Sequence, residues 1–105
     1  MTVKAGIRQN KLILTLYGEI DDNGAESIRQ KMDGFIEKSE CDTVIFDLTG
    51  VSFMDSTGIG LLLGRYKRFR DRGVHFYLRN PSLRCDKIFT LSGIYHVIPK
   101  LTCYS

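Results

Sequence analysis

An α/β domain, a small central β-sheet with helices packed on it, is the fold class this sequence predicts. Apolar segments with strand periodicity alternate with segments of helical periodicity along the chain, and short connections join them. The chain has 105 residues, of which 43% are hydrophobic. That supports one core, and so a single domain over 1–105 without linker, internal repeat or low-complexity segment.

The first predicted strand is Leu12–Tyr17, with Leu12, Leu14 and Leu16 on one face and Ile13, Thr15 and Tyr17 on the other. Turn and cap residues fill Gly18 to Gly24. Ala25, Ile28, Met32, Phe35 and Ile36 then recur at helical spacing, giving a first helix that buries this stripe. Thr43–Leu48 is a short β-branched and aromatic run, the signature of a largely buried strand, and Ser52 to Asp55 form its exit loop. From Thr57, the residues Ile59, Leu62, Leu63, Tyr66 and Phe69 share about a third of a helical circumference at 100° per residue. They mark the inward face of a second helix ending near Gly73. Val74–Leu78 is the next strand. Asn80 reads as an N-cap with Pro81 at the first helical position, followed by the apolar face of Cys85, Ile88 and Phe89 and termination at Gly93. A last strand is predicted over Tyr95–Ile98, before Pro99.

The charge balance excludes some functions. Fifteen Lys+Arg against 12 Asp+Glu give +3, too little for the electrostatic footprint of a nucleic-acid binder. Cys41, Cys85 and Cys103 form no C-x-x-C pair, and with only His75 and His96 as further soft ligands they predict reduced thiols, no metal site and no cofactor. No run approaches 18 apolar residues, so neither a membrane span nor export is expected, and the cytoplasm is the expected location. Both histidines fall in predicted strands and read as packed, hydrogen-bonded side chains.

The segment Ser52-Phe-Met-Asp-Ser-Thr-Gly-Ile-Gly60 concentrates the chemistry at the joint between a strand and a helix. Asp55 or Ser56 occupies the N-cap, where a side-chain oxygen satisfies an orphan N–H. With Asp55 available as cap, Ser56 and Thr57 are redundant for that task. Gly58 and Gly60 each cost a helix about 1 kcal/mol relative to Ala. Redundancy at a cost, with small residues that leave room for a phosphate, points to exposure to a visitor. Enzymatic patterns fit poorly. No G-x-S-x-G surrounds Ser56; Gly58-Ile-Gly60-Leu-Leu-Leu-Gly64 is one residue too long for G-x-G-x-x-G, and Arg65 follows Gly64 where a P-loop has Lys. A small nucleotide-binding module using the helix N-terminus at Ser56–Gly58 is the alternative reading, and a hydrolase using Ser56 the weaker one. Opposite the inward face, Thr57, Gly60, Leu61, Gly64 and Arg68 form a strip of low relief beginning beside Ser56, a candidate partner surface. The basic run Arg65, Lys67, Arg68, Arg70 and Arg72 reads as a solvated helix end.

Gly18-Glu-Ile-Asp21, Val44-Ile-Phe-Asp-Leu48, the Ser52–Gly60 segment with LLLGRYK behind it, and Leu91-Ser-Gly-Ile94 together resemble the anti-sigma factor antagonist family of STAS domains. The resemblance implies a partner switch rather than an enzyme. The unmodified protein binds an anti-sigma factor that is also a serine kinase and so frees a sigma factor. That kinase phosphorylates the serine matching Ser56, and a serine phosphatase resets it. The resemblance also places Asp21, Asp55, Thr57 and Gly58 around the phosphorylated serine. Family members commonly continue into a further C-terminal helix, for which Leu101–Ser105 is too short.

Overall fold

The computed structural model describes residues 2–19 and 22–101. Its first element, β1 (Thr2–Arg8), lies ahead of the first predicted strand and pairs antiparallel with β2 (Lys11–Tyr17). Gln9 and Asn10 join them, both with positive φ (52° and 67°), the backbone sense that lets a two-residue hairpin follow strand twist. A helix, α1 (Asp22–Ser39), leads to the central strand β3 (Thr43–Gly50). The next helix, α2 (Ser56–Phe69), closes through a 3₁₀ turn over Arg70–Arg72 and Gly73 at φ 82°, and leads to β4 (His75–Arg79). The last helix, α3 (Leu83–Ser92), leads to the short β5 (Lys100–Leu101).

The sheet has five strands in the order β1-β2-β3-β4-β5, all parallel beyond the first hairpin. Each helix lies in a crossover between neighbouring parallel strands that advance in one direction, so right-handed connections bring all of them to one face. The core lies between that face and the helices. Leu12, Leu14, Leu16, Val44, Phe46, Leu48, Phe76 and Leu78 meet Ile28, Met32, Ile36, Leu62, Phe69, Cys85 and Phe89 there. Alternation sends Asp47 and Arg79 to the other face, where they are register partners joined by an ion pair of 2.7 Å.

Several sequence expectations need correction. α2 is turned so that Gly58, Leu61, Leu62, Arg65 and Phe69 are buried, whereas Ile59, Leu63 and Tyr66 are only half-buried. The cause is electrostatic. Arg65 Nε lies 2.6 Å from Asp33 Oδ1 on α1, and both side chains are less than a tenth exposed. The contact is an ion pair rather than an aligned hydrogen bond, and Arg65 Nη1 also donates to the Leu61 carbonyl at 3.2 Å. Burial lowers the guanidinium pKa, and the attraction of Asp33 opposes that shift. Leu61, expected outside, is thus drawn in to 8% exposure.

The start of α3 also moves: Ser82, not Asn80, caps it by accepting from the Cys85 N–H, and Pro81 precedes the cap. Instead of a strand over Tyr95–Ile98, a 3₁₀ turn spans Ile94–His96, and the strand forms after Pro99, whose carbonyl accepts from the Leu78 N–H. His75 and His96 are exposed, not packed. Cys41 and Cys85 are buried free thiols, while Cys103 lies outside the described residues.

Removing one partner of a buried ion pair strands the other charge, at about 3 kcal/mol or more. Asp33→Ala should therefore lower the unfolding free energy by about that amount. Asp33→Leu combined with Arg65→Met should recover most of it, as read by denaturant titration of both variants.

Candidate functional site

The β3–α2 loop is held from below and from one side. Gly50 ends β3 where no Cβ fits, since one would lie 2.9 Å from the Leu16 carbonyl oxygen, and the Gly18 N–H donates to the Gly50 carbonyl at 2.9 Å. Val51 and Met54 are buried and anchor the loop in the core. From α3, the Ser82 hydroxyl donates to the Ser52 carbonyl at 3.4 Å and the Cys85 thiol reaches the Val51 carbonyl at 3.8 Å. The Arg84 guanidinium sits over the Phe53 ring at 5.2 Å, a cation–π contact that braces the loop's outer side.

This support brings Asp55 to the N-cap of α2 in extended conformation (φ −98°, ψ −168°). Its carboxylate accepts from the Thr57 N–H at 3.0 Å and the Gly58 N–H at 3.2 Å, while its carbonyl accepts the first intrahelical bond from Ile59 at 3.0 Å. Ser56 is therefore the first helical residue, exposed, with the capping already done by its neighbour. Thr57 is half-buried and Gly58 buried. Gly58 thus packs into the structure rather than keeping an approach open, contrary to its expected role.

Of the predicted partner strip, the structure keeps a part. Gly60 is exposed and Gly64 half-exposed, and a Cβ at either would meet nothing within 4 Å. Their outer side is open. Leu61 leaves the strip because it is buried. Arg68 is not a free cation: it bridges to Asp33 at 2.9 Å and Glu37 at 3.1 Å, bracing α2 on α1. Residues Ser56, Gly60 and Gly64, spaced by four, share the outward side that remains. Asp21 lies outside the described residues.

The histidines stand far from this chemistry by topology. His75 pairs with Thr43 at the starting end of the parallel strands, and His96 precedes β5 at that same end, whereas Ser56 follows the finishing end of β3. Neither histidine is placed to serve Ser56 as a base. Sequence reasoning missed Asp47, near the finishing end of β3 beneath the loop. Burial raises its pKa, but hydrogen bonds from the Thr49 hydroxyl (2.6 Å) and N–H (2.9 Å) and from Arg79 outweigh that and leave it below the ordinary 3.8. The alternation of Thr43–Gly50 could have flagged it, since an acid in a strand buried on both faces needs a partner.

Comparison with known proteins places this geometry. The STAS domain profile matches residues 2–105. The anti-sigma F factor antagonist of Lysinibacillus sphaericus is 36% identical over 88 residues, covering 84% of this chain and 75% of that protein. The anti-sigma-B factor antagonist of Bacillus subtilis is 32% identical over 100 residues, covering 93% and 90%. Among solved structures, the anti-sigma factor antagonist SpoIIAA in its unphosphorylated form superposes with a TM-score of 0.78 at 30% identity, over 96% of this chain and 89% of that one. SpoIIAA of Bacillus in the phosphorylated form gives 0.70, also at 30% identity, over 96% and 92%.

Loss of the cap costs about 1 kcal/mol, so Asp55→Ala should lower the unfolding free energy by that much and Asp55→Asn by less. Because Asp47 has its folded pKa depressed, its stabilisation is fully present above the unfolded value and is lost as pH falls through the folded one. Acid titration of stability should therefore be steeper below pH 3.8 in the parent than in Asp47→Asn.

Proposed function

This chain belongs to the STAS domain family, and we propose that it is an anti-sigma factor antagonist switched by phosphorylation of Ser56. Unmodified, it binds an anti-sigma factor with serine kinase activity and frees the sigma factor that this kinase holds. Phosphorylation of Ser56 ends the binding, and a serine phosphatase restores it. The chain is the substrate in this cycle, not the catalyst, and it acts in the cytoplasm.

One observation carries the reading: Ser56 faces solvent at the first turn of α2 while the Asp55 carboxylate accepts from the Thr57 and Gly58 N–H groups. A hydroxyl placed there is presented without structural duty, so a kinase can take it without dismantling the helix end. The modification adds a charge of about −1.5 to −2 at pH 7. The helix dipole favours that charge by roughly 0.3–1 kcal/mol, and the adjacent Asp55 carboxylate opposes it. In the isolated domain water screens the conflict. A docked partner removes that water and must bury the phosphate beside Asp55 without compensation, so binding is lost while the fold persists. Gly60 and Gly64 continue the surface from Ser56 and let the partner's backbone come close. Asp55 shapes recognition of the serine, with Thr57 and Gly58 holding the turn; Asp21 matches the family's acidic residue after the Leu12–Tyr17 strand, which the resemblance implies lies near that serine.

Incubation with the anti-sigma factor kinase and ATP, followed by mass mapping, should place a single phosphate on Ser56 and none on the Ser56→Ala variant. A phosphate on Thr57, or one that persists in Ser56→Ala, contradicts the assignment.

A further inference from the structure

A partner that reaches Ser56 must also cover its surroundings. A standard protein interface takes about 800 Å² from each side, a disc of about 16 Å radius. Along α2 the surface running outward from Ser56 is Gly60 and Gly64, which offer backbone but no side chain to grip. On the other side of the serine lie the β3–α2 loop and the start of α3. Four residues separate Ser52 from Ser56, so the two stand within about 14 Å of each other whatever course the loop takes. The Ser82 hydroxyl on the Ser52 carbonyl holds the first turn of α3 at that point.

Arg84 is the side chain in that footprint built to hold something. It is exposed on the first turn of α3, and its guanidinium lies 5.2 Å from the centre of the Phe53 ring, three residues ahead of Ser56. Arg29, Arg65 and Arg68 are committed to carboxylates of α1, whereas Arg84 has a ring but no carboxylate among the described residues. Stacking fixes the plane of a guanidinium and leaves its N–H fork free at the edge, the geometry that takes a carboxylate in two hydrogen bonds. Arginine and aromatic side chains are also those that most often anchor an interface. We propose that Arg84, seated on Phe53, anchors the anti-sigma factor kinase by taking one of its carboxylates, an assignment that rests on Ser56 being the switch residue. A partner that brings negative charge to Arg84 brings it close to Ser56, so a phosphate there meets repulsion as well as the cost of burial.

Arg72 supplies the control. It too is exposed and lies over a phenylalanine, Phe69, at 5.0 Å, but it stands past the far end of α2. A helix of that length puts it about 20 Å from Ser56. Calorimetric titration of the unmodified full chain with the kinase, over a series of salt concentrations, reads the contact. Arg84→Gln should weaken binding about tenfold and make it less sensitive to salt, while Arg72→Gln keeps the parent's affinity. Equal affinity for parent and Arg84→Gln, or an equal loss in both variants, overturns the proposal and leaves the switch standing. So does a loss in Arg84→Gln with the parent's salt dependence, which makes Arg84 a brace of the loop only. A parent that neither binds the kinase nor takes phosphate on Ser56 overturns the switch, and the anchor with it.

Discussion

The orientation of α2 depends on a charge pair that composition makes look like surface. Asp33 collects Arg65 at 2.6 Å, Arg68 at 2.9 Å and Arg29 at 3.6 Å, and the first of these pairs is sealed between α1 and α2. Charges so enclosed are tolerated only as a pair, so the helices have one acceptable rotation. That rotation takes Leu61 inward one turn before Arg65, turns Ser56, Gly60 and Gly64 outward, and leaves Arg68 as a brace at the rim. The presentation of Ser56, the proposed switch residue, at one end of α2 is therefore set by electrostatics near the other.

At the amino end, the division of labour between neighbours is what would permit the proposed switch. Asp55 holds the helix and Ser56 does not, so chemistry at Ser56 is uncoupled from the fold. The loop beneath is fixed by Val51 and Met54 in the core and by Ser82 and Arg84 from α3. A rigid platform lets a modification of one side chain act as a change in surface charge rather than a change in shape. The same acid that caps the helix makes the added charge hard to bury.

The fold class, the three helices and the strands β2, β3 and β4 were legible because each buries an apolar stripe at its proper period. So was the Asp55–Ser56 joint, where cap chemistry is local. β1 was not read, although Val3, Ala5 and Ile7 alternate with Lys4, Gly6 and Arg8; one edge strand buries little, and its pattern is faint beside a run such as Leu12–Tyr17. The face of α2 was misjudged because Arg65 is polar by type and buried by partnership, and Asp33 lies 32 positions away in the sequence. The end of the chain was misplaced by a few residues: the Tyr95 hydroxyl and Lys100 ammonium both donate to Asp86, at 2.6 and 2.8 Å, which ties the 3₁₀ turn and β5 to α3 in a way no periodicity records.

The account stands on the separation of fold from binding. Its most direct test is to measure, on unmodified and Ser56-phosphorylated protein side by side, both the affinity for the anti-sigma factor and the free energy of unfolding. The affinity should fall at least about a hundredfold, equivalent to about 2.7 kcal/mol, while the unfolding free energy shifts by less than about 1 kcal/mol. Unchanged affinity, or a loss of affinity matched by an equal loss of stability, would contradict it.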